Sequence, residues 1–152
     1  TQKLRMSGAV IVTTPQDIAL ADVQKGADMF RKVHTPIIGV IENMSSLLIN
    51  GKVKGLDKNN TDNYSLDING IDEKININDD GSFSIPINLF KSGGGLKESK
   101  RLDVPLLGKI PISIEMMHAT DKGEPIILSQ PNNSVSNIFR DIVNKINLQL
   151  IN

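Results

Sequence analysis

The sequence predicts an α/β protein: a doubly wound, mostly parallel sheet carrying a small β-hairpin insert. Three observations point there. Short apolar runs bounded by Gly or Pro recur along the chain, amphipathic helical patterns lie between them, and the composition changes abruptly over residues 46–92. The runs at 8–13, 36–41, 105–110 and 125–129 are unbroken rather than alternating, and rich in Val, Ile or Leu. Strands covered by helices on both faces read this way, because neither face meets water.

The helices are legible in the same terms. After the first run, Thr14 is expected to cap a helix whose first residue is Pro15, with Asp17 complementing the dipole. Ala19, Val23, Ala27, Phe30 and Val33 then share one face at helical spacing. Gly26 weakens this helix by only about 1 kcal/mol. Ser113 is expected to cap a short helix through Glu115, Met116, Met117 and His118 that stops at Gly123. The last helix begins near Ser134 and carries Val135, Ile138, Phe139, Ile142, Val143, Ile146 and Leu150 along one stripe. Alternating strands and helices connect by right-handed crossovers, which makes the sheet parallel.

A chain of 152 residues is the length of one domain, so residues 1–152 are read as a single α/β unit with 46–92 inserted in it. The insert is rich in Asn, Asp, Gly and Ser. Asn69-Gly70 and Asp80-Gly81 are hairpin-turn dipeptides, the second flanked by alternating stretches at 74–78 and 82–87. Asn76, Asn78, Asp80 and Gly81 have the spacing that opens a calcium loop, but Ile87 stands where the bidentate Glu is required, so no calcium site follows. The insert is expected to be dispensable for the fold, with parts of 50–64 lacking fixed structure.

Seventeen Lys plus Arg balance 17 Asp plus Glu, which leaves no field to draw the chain onto nucleic acid or an anionic membrane. The sequence contains no cysteine, so disulfides, thiolate nucleophiles and Cys-ligated zinc or iron–sulfur clusters are outside its chemistry. No apolar run approaches the roughly 20 residues that span a bilayer, and residues 1–7 are not a signal peptide, so the expectation is a soluble, intracellular protein. The chain opens on Thr1 and reaches a strand by Gly8. It is therefore expected to be a fragment whose N-terminal portion lies elsewhere.

In a doubly wound sheet, ligands bind beyond the carboxyl ends of the strands. Residues 13–17, 42–45 and 111–113 occupy those positions. Asn43 is the candidate for recognition, because its amide sets a donor beside an acceptor and can pair with N6 and N7 of adenine. On spacing alone, an Asn bonding its own backbone in a turn is the leading reading. Residues 14–17 form a helix N-terminus, but Asp17 there would repel a phosphate. Gly93-Gly94-Gly95 lacks the Gly-Lys-Ser/Thr ending of a phosphate loop and reads as a flexible lead-in to a helix over 96–102. His34 and His118 have no Cys or carboxylate at ligand spacing, so no metal site is expected. Nothing in the spacing argues a self-contained catalytic constellation.

The run 8–23, GAVIVTTPQDIALADV, and the run 36–45, PIIGVIENMS, resemble the Mrp/ApbC family of P-loop ATPases. Lys25-Gly26, residues 29–33, Gly93-Gly94-Gly95, VPLLGKIP at 104–111 and Gly123-Glu124-Pro125 follow in the family's order. Val33-His34 and residues 128–131 are similar to the mitochondrial branch that helps assemble respiratory complex I. The resemblance implies the C-terminal half of a P-loop NTPase fold. It further implies an ATP-dependent carrier that holds a 4Fe–4S cluster at a dimer interface and passes it to apo iron–sulfur client proteins. Asn43 matches the family's base-contacting Asn, and Pro111 begins the loop that closes over the base. The partners implied are a second copy or a family member, without nucleic acid or a membrane span, in the mitochondrial matrix or alternatively the cytoplasm. Two departures stand out. The phosphate loop and the magnesium-binding Asp belong to a half that is not in this chain, which is therefore expected to be inactive as an ATPase by itself. The family's Cys-x-x-Cys should follow Met44-Ser45, where this chain has its cysteine-free insert. A cysteine-free scaffold paralogue and a partitioning or division-site ATPase are the competing readings.

Overall fold

The computed structural model describes residues 6–55 and 65–151. In chain order these form β1 (Ala9–Thr13), α1 (Asp17–Lys32), β2 (Ile37–Lys52), β3 (Ser65–Ile68), β4 (Ile71–Asn76), β5 (Ser82–Ile87), α2 (Gly94–Leu102), β6 (Leu106–Ser113), α3 (Ile114–Asp121), α4 (Ile126–Ser129) and α5 (Ser134–Ile151). The first half of β2 lies between β1 and β6 and is parallel to both. Helices cover both faces, as expected for a doubly wound sheet. On one, Ile11 and Val40 pack with Ala27 of α1 and Leu102 of α2, with Val23 and Phe30 closing round them. On the other, Ile41, Leu107 and Ile110 meet Ile142 of α5, flanked by Ile138, Phe139 and Ile146. The α5 stripe is narrower than its sequence pattern, since Val143 and Leu150 are exposed.

A polar lock joins α1 to α2. Glu98 is fully buried and accepts two hydrogen bonds from Arg101, whose guanidinium also reaches Asp28 of α1 at 3.0 Å. The two-pronged geometry is the favourable form of this pair, and it gives both oxygens of the buried Glu98 a hydrogen-bond partner.

Several local expectations are corrected. Helix α1 begins at Asp17 after Gln16, and Thr14 does not cap it; the Thr14 hydroxyl turns to Gln16 Oε1 at 3.5 Å, while Pro15 is fully buried. Residues 125–129 form a helical turn rather than a strand. The Pro125 carbonyl accepts from the N–H groups of Leu128 and Ser129, and Ile126 alone is buried, against Ala119 and Val135. An apolar tetrad with one buried side needs no sheet, and Leu128 is 75% exposed. Ser113 does cap α3, its hydroxyl accepting the Met116 N–H at 2.9 Å. Strand β1 is covered less fully than its unbroken apolar text suggests, for Val12 is 53% exposed. Among the described residues β1 has one strand neighbour, β2.

The insert is partly woven into the main sheet. Strand β2 runs on to Lys52, and β5 pairs with Leu47–Lys52 in antiparallel fashion along the edge that β1 has left, because β6 still holds the other edge at Leu47 and Leu48. Asn69-Gly70 turns the β3–β4 hairpin as expected, with Gly70 at φ 89°. Asp80-Gly81 also forms its turn, with Gly81 at φ 84°, but the strands it separates do not make the expected hairpin: β5 takes β2 as its ladder partner. Burial decides this choice, since pairing with β2 places Ile85 at 3% exposure. Residues 50–52 of the stretch expected to lack fixed structure are strand; 56–64 lie outside the described residues.

At the Asp80 turn, one carboxylate oxygen accepts from the Ser82 hydroxyl at 2.6 Å and the Ser82 N–H at 2.9 Å, with Lys52 3.4 Å from the other. The Ser82 hydroxyl first, then its N–H and Lys52, draws the Asp80 carboxyl from 3.8 down to about 2. A depressed carboxylate supports the folded state above its unfolded value and loses that contribution as pH falls through the folded one. The turn should thus be intact above pH 3.8 and loosen as pH falls to about 2. A carboxyl NMR titration is expected to return that low midpoint, and Ser82→Ala should move it back up. A second expectation concerns the insert as a whole. Because Ile85 belongs to the main sheet, Ile85→Ala should cost about 2–5 kcal/mol in global urea unfolding; an unchanged midpoint would mean that the insert is energetically separate.

Candidate functional site

The carboxyl end of β1 lies level with the middle of β2 and of β6. Thr13, Glu42 and Lys109 stand side by side in the ladder, and the next pair is Asn43 opposite Ile110. There the regular parallel pairing breaks. Asn43 is opposite Ile110 and Leu47 opposite Ile112, so three residues of β2, Met44 to Ser46, face the single residue Pro111. Proline has no N–H to give a ladder, and a bulge on the partner strand is where a sheet tolerates it. Met44 takes up the extra length with a left-handed φ of 54°. Bulges of this kind re-aim side chains at the end of a sheet.

Both sequence candidates are therefore at this bulge. Asn43 is half-buried, and its Oδ1 accepts the Met44 N–H at 2.9 Å, so the amide does bond its own backbone as a turn Asn does. Carbonyl oxygen has a second lone pair, and the Asn43 Nδ2 has no partner among the described residues. Pro111 is buried within β6 rather than leading an open loop. It lies one residue past the ladder partner of Asn43, which by strand alternation turns the two side chains to opposite faces.

The feature that sequence spacing did not expose is Glu42. Only 1% of its surface is accessible, and Oε2 accepts the Gly95 N–H at 2.5 Å, with Lys109 Nζ 3.7 Å from Oε1. Gly95 is the second residue of α2, so this carboxylate fills the helix N-terminus, where the dipole favours negative charge. The glycine triplet accordingly is no flexible lead-in. A Cβ on Gly94 would lie 2.9 Å from the Pro15 carbonyl oxygen, and one on Gly95 would lie 2.7 Å from Glu42 Cβ. Gly93, at φ 91°, supplies the left-handed turn before them. These glycines let α2 press onto β2 and the β1–α1 loop, and no anion can share an N-terminus that the protein's own carboxylate occupies.

Thr14 to Asp17 hold no phosphate-like cradle either: Asp17 is exposed and pairs with Lys91 at 3.7 Å. His34 ends α1 in a left-handed conformation, φ 54°, at the opposite edge of the sheet from Asn43. Cavities of about 300 and 360 Å³ also lie at that opposite edge, beside Pro36 and Ile37. Among the described residues no three His, Cys, Asp or Glu converge in a metal-binding group, and no helix is long and apolar enough to cross a membrane.

Comparison with known proteins adds the family. The profile described as NUBPL iron-transfer P-loop NTPase, of the ParA group, matches residues 1–57 and 59–147. The iron-sulfur cluster carrier protein of Synechocystis is 35% identical over 146 residues, covering 96% of this chain and 33% of that protein. That of Aquifex aeolicus is 38% identical over 141 residues, or 93% and 30%. The iron-sulfur cluster transfer protein NUBPL of Mus musculus is 32% identical over 151 residues, or 96% and 36%. The chain spans about a third of the length of these curated relatives. Among solved structures, the cell division ATPase MinD of Pyrococcus furiosus superposes with a TM-score of 0.54 over 93% of this chain and 42% of its own, at 18% identity, which establishes a shared fold.

The packing at the glycines has a measurable consequence. Gly95→Ala should destabilise by about 1–3 kcal/mol, the usual cost of forcing volume into a closed site. Gly26→Ala, where a Cβ meets nothing within 4 Å, should instead stabilise α1 by up to about 1 kcal/mol. Urea unfolding of the two variants checks the contrast; equal effects would mean that α2 does not press on Glu42.

Proposed function

Since the chain belongs to the NUBPL iron-transfer P-loop NTPase family, we propose that it forms the base-facing part of an ATP-dependent iron–sulfur cluster carrier. The observation that carries this reading is the Asn43 amide at the bulge that interrupts the β2–β6 ladder, on the edge at which doubly wound sheets receive ligands. Its Nδ2 can donate to adenine N7 while the second lone pair of Oδ1 accepts from N6. Pro111 would shape that pocket through the bulge it leaves opposite itself, its own ring lying buried on the other face. The phosphates are not held by these residues, because Glu42 closes the one glycine-rich helix N-terminus. Phosphoryl transfer needs loop amides, a Lys and magnesium around the phosphates, and on this reading they come from outside this chain.

The cluster is cargo on this reading, and these residues do not fit it. Four soft ligands are the rule for a 4Fe–4S cluster, and the sequence has no cysteine and two histidines. Its ligands would come from a second copy, another family member or another part of the polypeptide, and its destination would be apo iron–sulfur clients. Relatives occur in both eukaryotes and bacteria, and the setting we propose is the mitochondrial matrix or, alternatively, the cytoplasm. The absence of cysteine also favours a second reading, a scaffold that keeps the family fold without cluster chemistry.

The test carries this chain in place of the matching segment of the Synechocystis carrier. Asn43→Ala should weaken ATP binding in calorimetry by about 1–3 kcal/mol, the range of one bidentate base contact, with little effect on GTP. Equal binding of both nucleotides alongside easier unfolding would make Asn43 a turn residue only. Anaerobic reconstitution separates the two readings: stoichiometric iron and sulfide on the graft supports the carrier, and none supports the scaffold.

A further inference from the structure

The base contact leaves one buried charge beside it unexplained. Glu42 is the residue before Asn43, is 1% exposed, and among the described residues is reached only by the Gly95 N–H and, at 3.7 Å, by Lys109. Burying a carboxylate is unfavourable, and a helix N-terminus can be capped more simply by Ser, Thr, Asp or Asn at its own N-cap. Helix α2 has Gly93 there, with no side chain, so its cap is delivered from β2, 53 residues away in sequence. The carboxylate thus ties the sheet to the helix two residues before β2 begins to bulge at Met44. Beyond it, Met44 to Ser46 face Pro111 alone, with no regular pairing to fix their path.

We infer that Glu42 is a positioning residue for Asn43: clamped between Gly95 and Lys109, it fixes the last regular peptide of β2, so that the Asn43 amide is presented at a constant angle. Asn43 then sits between two restraints, the Glu42 clamp before it and its own Oδ1 bond to the left-handed Met44 after it. The inference rests on Asn43 being the base contact, but the clamp itself has an independent readout. If the clamp is released, the bulge can slide and the Met44 N–H loses its bond to Asn43 before the core opens.

Hydrogen exchange on the full chain reads the clamp directly. Glu42→Ala should raise exchange at Met44 several-fold beyond any rise at Val40 and Ile41, whereas Glu42→Gln, which still offers Gly95 an acceptor, should stay near wild type. Gly95→Ala displaces the carboxylate from the helix side and should reproduce the selective rise, which keeps the test available if Glu42→Ala does not fold. A Met44 rate that moves only in step with Val40 and Ile41 would overturn the inference and leave Glu42 a plain stabiliser. On the Synechocystis graft, Glu42→Ala should lower the ATP-over-GTP preference to that of Asn43→Ala, and the double variant should lose no more than either. A parallel fall for both nucleotides would equally overturn it. If Asn43→Ala keeps the wild-type preference, the base contact has failed, and the exchange result alone decides the clamp.

Discussion

The described fold hangs on β2, whose 16 residues pair in turn with three strands, β1, β6 and β5. Its first half is the middle strand of a parallel sheet, and its second half is the spine of an antiparallel ribbon with β5. One continuous strand can serve both only if the change of partner is absorbed somewhere, and the bulge at Met44 to Ser46 absorbs it. The position of the bulge follows from Pro111, which cannot donate to a ladder and so leaves β2 free to gain length opposite it. A single missing N–H on β6 therefore decides where the α/β core ends and the ribbon begins.

Two buried glutamates, Glu42 and Glu98, do complementary work around α2. Glu98 faces α1 and is satisfied twice over by Arg101, with Gln24 a weaker contributor at 3.4 Å. Glu42 reaches α2 from the sheet and is satisfied by the helix backbone. The helix is short, nine residues, with Leu96 exposed on its outer side and Leu102 as its one buried large apolar side chain, so apolar burial alone holds it only at its C-terminal end. Its placement is specified by polar geometry at both contacts, which gives less slack than a greasy interface would: a hydrogen bond fades over a few tenths of an ångström, whereas dispersion tolerates sliding.

Periodicity and capping chemistry carried much of the fold. The doubly wound class, α5, the Ser113 cap and the Asn69-Gly70 turn all follow from patterns local to a few residues. What failed was non-local. Residues 125–129 have a strand's composition, but a tetrad can be helical when only Ile126 needs burial. Residues 82–87 alternate as half of a hairpin does, yet alternation cannot name the partner, and β2 offered a better-buried one than β4. The site divides the same way. Asn43 could be picked out by its place after an apolar run, and so could Pro111. Glu42 has a local signal too, a charge abutting an unbroken apolar strand, but its partner Gly95 lies beyond the whole insert, and nothing in the sequence points from one to the other. The glycines were misread for the same reason: from sequence, a glycine that permits motion and a glycine that permits contact look alike.

The half-covered strand β1 has a practical side. Val12 is exposed, and the run Ala-Val-Ile-Val-Thr presents one paired edge and one without a strand neighbour among the described residues. Natural sheets blunt such margins with lysine, proline or a twist, and β1 has none of the first two within its span. A charged residue at Val12, which is 53% exposed, would add the kind of guard that this strand lacks.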